Sequence, residues 1–408
     1  MVSPSASPSS PPLLPPWLIL MGALAALGPL AIDMYLPAFG AMAADLGVHP
    51  GQVERTLASY LLGLALAQLV YGPLADRYGR KPPLLLGLTL FAVASVACAL
   101  SRDIDHLILW RVVQAFGGAA GMVVPRAVIR DHLDTREAAQ ALSLLMLVMG
   151  VMPILAPLLG GQAVTLGSWR TVFYLMGLAG VGLWLAVALY MRESLDPARR
   201  APLAVGAIAA SFRLLLTHRR FMGYTLAGGF GSGGLFAYIS GSPQAFITIY
   251  GIDPRWFGLL FGLNAAALIV ASQASARLLN RHPPIRLLAR AQGTLVLMTL
   301  CGLALTLLDW ISLPLLMLCL MGFMASQGFV GPNAAALALA DQGPRLGVAS
   351  ALMGSLQMLC GALAGFAVSA WHTGTPLPLT AVLAACAVLS WLSGRIAMRS
   401  PRQTRQPA

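Results

Sequence analysis

Twelve runs of apolar residues, each about long enough to cross a bilayer as a helix, recur at 17–38, 52–74, 83–101, 106–129, 140–165, 171–191, 222–248, 255–279, 286–308, 312–339, 346–371 and 378–397. Polar or Pro/Gly-containing turns separate them. The pattern predicts an all-α membrane protein, and an even number of spans puts both ends of the chain on one side. The longest polar interval, 192–221, follows the sixth run, so the expected organisation is a six-helix half over 17–191, a connector, and a second half over 222–397. Residues 1–16, rich in Ser and Pro, are expected to be a disordered tail, and 398–408 a second tail. The first tail carries neither the positive segment nor the apolar core of a cleaved secretory leader, so the first helix is expected to stay.

Composition agrees: 58% of the 408 residues are hydrophobic and 10% charged, against about 25% charged in soluble domains. A net charge of +12 would suit nucleic acid in a soluble protein, so the placement of the basic residues decides its meaning. With the termini placed in the cytoplasm, 20 of the 26 fall in inside segments and four, Arg55, Arg102, Arg170 and Arg255, outside. This is a positive-inside distribution. The basic residues are split among separate short segments and offer no continuous groove, so no nucleic-acid partner is expected. The five cysteines, Cys98, Cys301, Cys319, Cys360 and Cys386, lie in apolar runs without metal or disulfide spacing. They read as small packing residues, and no metal is expected.

Little in the chain can power or catalyse a reaction. A phosphate-cradling loop needs a Lys after a Gly, and the only lysine, Lys81, follows Arg80. The six histidines fall in loops or at predicted helix ends. An enzyme is therefore not expected, and a sensor would need a larger soluble domain than a 30-residue connector supplies.

Ionisable groups inside a bilayer cost a few kcal/mol and are functional candidates by default. Asp33 is the acid that stands well within a span, in Ile32-Asp33-Met34-Tyr35-Leu36-Pro37, and Arg111 and Arg126 are the bases. Asp33 lies five residues from the outer end of span one, and Arg111 five residues below the same surface in span four. At 1.5 Å per residue both sit about 7 to 8 Å deep. If the two helices are neighbours the charges can pair. Desolvation favours a neutral acid and a nearby cation its anion, so small changes of geometry can switch protonation, as proton coupling requires. Alternatives remain at each position: a helix-end role for Asp33 beside Pro29 and Pro37, a permanent structural role for Arg111, and for Arg126 a side chain running with Arg130 to the inner surface.

Between spans two and three, Gly72-Pro73-Leu74-Ala75-Asp76-Arg77-Tyr78-Gly79-Arg80-Lys81 forms a short turn. Gly72 would permit close helix contact, Asp76 would accept hydrogen bonds from an Arg or a helix N-terminus, and Gly79 would let the chain reverse. This segment resembles the signature loop of the major facilitator superfamily, with Gly72, Asp76, Arg77, Gly79 and Arg80 at its defining places. Leu107 to Ala115 resembles that family's fourth-helix motif, with Arg111 as its intramembrane arginine and Ala115 where glycine is usual. Span five carries Gly150, Pro153, Pro157, Gly160 and Gly161. It resembles the antiporter helix of exporters in the superfamily, with Ala156 where the pattern begins with glycine. More narrowly, the Asp33 segment, Tyr238 to Pro243, Phe257 to Asn264 and Pro332-Asn333-Ala334 resemble the bicyclomycin and chloramphenicol-type drug-resistance exporters.

The resemblance implies a two-half bundle in a bacterial inner membrane that exchanges protons inward for drugs or other amphipathic small molecules outward. No cofactor but the proton is implied, and the protein is expected as a monomer among lipid. A narrow-specificity metabolite carrier on the same fold is the alternative. In that fold helices 1, 4, 7 and 10 line the cavity. Asp33 and Arg111 then become the proton-coupling pair, and Tyr35, Gln114, Tyr238, Gln244 and Asn333 the candidate substrate contacts.

Overall fold

The computed structural model describes residues 15–199, 205–342, 345–371 and 373–399. Most of both expected tails, residues 1–14 and 400–408, lies outside the described residues, as does 200–204 of the connector. The first half begins with α1 (Pro16–Asp33) and α2 (Phe39–Leu46). It continues through α3 (Pro50–Tyr78), α4 (Lys81–Leu100), α5 (Ile104–His132), α6 (Thr135–Leu166) and α7 (Trp169–Tyr190). The connector holds α8 (Val205–Thr217), where the sequence led us to expect only a polar interval. The second half contains α9 (Arg219–Pro243), α10 (Pro254–Leu278), α11 (Pro284–Leu307), α12 (Leu313–Leu339), α13 (Leu346–Ala370) and α14 (Leu377–Arg399). No strand occurs among the described residues.

Among the described residues, eleven spans are long and apolar enough to cross a membrane. The expected seventh span, α9, has the length at 25 residues but carries five glycines, Gly228, Gly229, Gly231, Gly233 and Gly234, within seven positions. Spread around the helix, they let α12, α13 and α14 pack closely on its different sides. Apolar side chains on the outside, such as Leu178, Val270, Leu318 and Leu363, are each more than 60% exposed, which is the surface a lipid environment covers.

Span one is a broken helix. Proline has no N–H, so Pro37 cannot donate to the carbonyl of Asp33 four residues earlier, and α1 ends there. A single tight turn, Leu36–Ala38, follows, and the chain resumes as α2. The break lies directly beside the candidate coupling residue.

Within the first half α5 packs on α1, α3 and α4, while in the second half α9 packs on α12, α13 and α14. Two pairs make most of the contact between the halves, α3 with α13 and α6 with α10, and the turn Leu36–Ala38 also touches α9 and α10. Ser355 Oγ of α13 donates to the Ala65 carbonyl of α3 at 2.7 Å, an interhelical bond across the divide. On α10, Gly258 and Gly262 face Leu158 and Ile154 of α6 so closely that added methyl groups would meet them.

Candidate functional site

The Arg111 guanidinium is fully buried in the first half. Nη1 donates to Gln114 Oε1 at 2.6 Å and Nη2 to the Ala31 carbonyl of α1 at 3.0 Å. Cζ lies 4.2 Å from the ring centroids of both Tyr35 and Tyr60, and 5.8 Å from that of Phe173. Gln114 passes the network on, its Nε2 donating to Ser95 Oγ at 2.7 Å, and Ser95 Oγ donates to the Phe91 carbonyl at 2.6 Å. The Tyr35 hydroxyl lies 3.2 Å from Thr56 Oγ1. Ala115, standing where glycine is usual, is accommodated because Gly63 of α3 faces it.

The expected ion pair between Asp33 and Arg111 is not formed. The two are level along the bundle, as expected, since Arg111 reaches the Ala31 carbonyl. Asp33 is two residues beyond Ala31, which on a helix of 100° per residue turns it about 200° away. Tyr35 comes four residues after Ala31, back on the arginine's side. Tyr35 and Gln114, expected on the cavity wall, are likewise buried inside the first half around Arg111.

Asp33 faces the second half. It is 2% exposed, its Oδ1 has no hydrogen-bond partner, and it lies within electrostatic reach of the Tyr238 hydroxyl of α9. Tyr238 stacks on Phe261 of α10 with centroids 5.1 Å apart. The Tyr238 hydroxyl and its neighbour Asn264 Oδ1 are also buried without a hydrogen bond of good geometry. Asn264 is otherwise anchored, Nδ2 donating to the Leu260 carbonyl at 3.1 Å. Three buried polar groups therefore gather where α1, α9 and α10 meet, with Tyr238 and Asn264 within reach of each other and the Asp33 oxygen beside them unpartnered.

The other candidates lie elsewhere. Asn333 locks α12 to α10, its Nδ2 donating to Ser275 Oγ and to the Phe329 carbonyl, both at 2.8 Å. Gln244 sits beyond α9 on the wall of a small pocket between the halves, with Gly241, Val368, Trp371 and Leu379. Glu54, only 1% exposed, lines the same pocket. Sequence reasoning passed over Glu54 because it is the third residue of its span and adjoins Arg55, which reads as loop. Arg126 does not run to the inner surface. Its Nη2 lies 4.0 Å from Met149 Sδ of α6. Side chains tilt toward a helix N-terminus, and α5 starts at the opposite end of the bundle.

The turn after α3 is a clamp made by Arg80. Nη1 bonds Asp76 at 2.5 Å, and Nε donates to Asp131 Oδ2 of α5 at 2.9 Å. The Arg80 and Lys81 backbone N–H groups donate to Glu193, just past α7, at 2.8 and 3.1 Å. Asp131 and Glu193 were not expected, since nothing local links them to the motif. Gly79 has φ +94°, a conformation that favours glycine, and any side chain there would have to push the Glu193 carboxylate out of the clamp. Gly72, expected to permit close contact, faces open space. Arg77 lies over the Tyr78 ring, 5.7 Å from its centroid.

Burial opposes the charge on Glu193, but the backbone N–H groups of Arg80, Leu195, Lys81 and Ser194 outweigh it and hold its carboxyl below the ordinary 4.5. The carboxylate is thus the form that closes the clamp. Its contribution is present in full above about pH 4.5 and lost as pH falls through the lower folded value. Protection factors for the Arg80 and Lys81 amides in hydrogen exchange are expected to stay flat down to that pH and drop below it; a drop beginning near neutrality contradicts the assignment.

Helix α6 stands between the halves, against α1 on one side and α10 on the other. A Cβ on Gly160 would overlap the Met34 carbonyl at the break after Asp33, and one on Gly161 would come 3.3 Å from the Pro254 carbonyl. Gly150 meets Ile269 of α10 at an ordinary 3.7 Å. Pro153 and Pro157 lie within the helix and leave carbonyls one turn earlier without their usual donor. Gly160→Val is accordingly expected to destabilise by about 3 kcal/mol, because the obstacle is backbone, whereas Gly150→Ala is expected to change stability by less than about 1 kcal/mol. Melting curves of the two variants check this, and equal melting contradicts it.

Two helical halves packed mainly through two helix pairs, with a buried acid at a helix break between them, define a multi-pass membrane transporter. Residues 21–365 match the Major Facilitator Superfamily, and the chain belongs to that family. It is 38% identical over 376 residues to "Uncharacterized MFS-type transporter YdgK" of Bacillus subtilis, covering 92% of this chain and 93% of that protein. It is 32% identical over 377 residues to "Bicyclomycin resistance protein homolog" of Haemophilus influenzae, covering 92% and 94%. A crystal structure of a bacterial homolog of the human lysosomal transporter Spinster, inward-facing and occupied, shares the fold with a TM-score of 0.71 at 17% identity, covering 94% and 95%. The protein is a transporter and not an enzyme.

Proposed function

We propose that this transporter is a proton-coupled antiporter that exports drugs or other amphipathic small molecules by alternating access, with Asp33 as the coupling group. The observation that carries the proposal is the buried Asp33 carboxyl, turned away from Arg111 and toward Tyr238 in the other half with an oxygen unsatisfied. A carboxyl locked to a guanidinium would resist protonation; one at a helix break between two moving halves can gain a proton from one side and lose it to the other. Arg111, with Tyr35 and Gln114, then positions α1 rather than neutralising the acid. Tyr238 and Asn264 are the substrate contacts beside Asp33, Gln244 belongs to the outer rim, and Asn333 supports α10 from behind.

The name of the Haemophilus relative and the small-residue helix α6 between the halves support outward drug transport. The basic residues support cytoplasmic termini and a bacterial inner membrane. The carrier acts as a monomer and uses no cofactor but the proton. The test is a titration of purified protein with a drug that its expression protects against, read as ligand bound and protons released, with and without Asp33. Release of protons on binding that vanishes in Asp33→Asn supports the coupling; undiminished release refutes it. A susceptibility panel in an efflux-deficient host tests breadth. Protection against several unrelated compounds is expected, and protection against none, with transport of one metabolite, overturns the drug assignment.

A further inference from the structure

At the end of the bundle that carries the Arg80 turn, a cavity of about 560 Å³ opens between the last residues of α8, the first turns of α9 and the last turns of α14. Its wall is layered. Arg219, the first residue of α9, and Arg399, the last of α14, are exposed at its mouth. Leu226 lies seven residues along α9 and Ser393 six residues back along α14, so the floor is about 10 Å nearer the membrane middle than the arginines. Met222, Leu226 and Ile396 make the deeper wall apolar, and Leu216 of α8 flanks it. Leu216 and Ile396 are 50% and 61% exposed, so the cavity is continuous with the lipid-facing surface.

Neighbouring cations are consumed by the protein. Arg220, beside Arg219, pairs with Asp341 at 3.2 Å, and Arg395 lies over the Trp391 ring. Arg219 and Arg399 form no ion pair among the described residues. An occupant that satisfies the whole cavity must carry negative charge at the membrane surface and hydrocarbon directly beneath it.

We infer that this cavity binds an anionic phospholipid from the adjoining leaflet, its phosphate between Arg219 and Arg399 and an acyl chain against Leu226 and Ile396. A free inorganic anion would leave the apolar floor unused. A zwitterionic lipid would bring its own cation to a mouth already holding two. Polybasic segments at the membrane surface gain about 1 kcal/mol per Arg from anionic lipid, so neutralising both is expected to weaken binding by at least about tenfold. Because α8 belongs to the connector, the lipid would also tie the connector to the second half.

The test uses the full-length protein in mild detergent, titrated with phosphatidylglycerol and, separately, phosphatidylcholine, with bound lipid counted by native mass spectrometry. Phosphatidylglycerol is expected to bind at least tenfold more tightly. Arg219→Gln with Arg399→Gln should erase that preference while leaving the melting temperature unchanged, and the Arg→Lys pair should keep most of it. Ser393→Trp fills the cavity without touching either charge, and it too should release the lipid. Equal binding of phosphatidylglycerol by the wild type and the Gln pair overturns the inference. So does displacement of the lipid by inorganic phosphate at similar concentration with Ser393→Trp having no effect, which would mark a bare anion site.

Discussion

Asp33→Asn is expected to abolish transport driven by a proton gradient, to the background of empty vesicles, while the protein accumulates and melts at or above the wild-type temperature. The stability half of this expectation follows from burial. Asp33 is 2% exposed and gains no ion pair, so exchange for a neutral isostere removes a desolvation cost without breaking a bond. The functional half follows from chemistry, since an amide occupies the same space beside Tyr238 but cannot release a proton. Substrate exchange without a gradient should persist in the variant, because the two halves and their joints are untouched. Pure loss of coupling is the signature to look for in proteoliposomes after a pH jump. Gradient-driven export by the Asn variant at the wild-type rate would sink the assignment, and loss of folded protein would show instead that Asp33 is structural.

Arg111→Met is expected to do the opposite, destabilising the first half by about 3 kcal/mol or more. It would strip the Ala31 carbonyl and Gln114 Oε1 of their donors and leave two tyrosine faces without the cation between them. Hydrogen bonds to a charged donor contribute about 1.5–3 kcal/mol each, and a desolvated cation between aromatic rings about 2 kcal/mol or more; only part of this is recovered by no longer burying the charge. Arg111→Lys is expected to rescue little, because an ammonium cannot fill a planar slot between two rings and also span two acceptors. Thermal melting of both variants beside Asp33→Asn checks this. An Arg111→Met protein that melts like the wild type yet no longer couples export to protons would make Arg111 a partner of the acid after all.

The contrast between these two residues shows what the chain declares locally and what it does not. Hydropathy and the placement of arginines marked the membrane-crossing segments, and the turn from Gly72 to Lys81 with the helix around Arg111 pointed to the family, because these are properties of short stretches. Depth was also legible, as each residue advances a helix by 1.5 Å whatever surrounds it. Partners at long separation were not: Asp131 and Glu193 close the Arg80 clamp from 51 and 113 residues away, and no spacing near the motif announces them. Nor was the facing of each helix, which is why Asp33 and Arg111 share a level but not a side. Rotation about a helix axis is set by which neighbours pack against it. In the first half that choice was made by the Ala31 carbonyl, the two tyrosine rings and the glycine at 160, and it turned Arg111 inward to be held and Asp33 outward to face the second half.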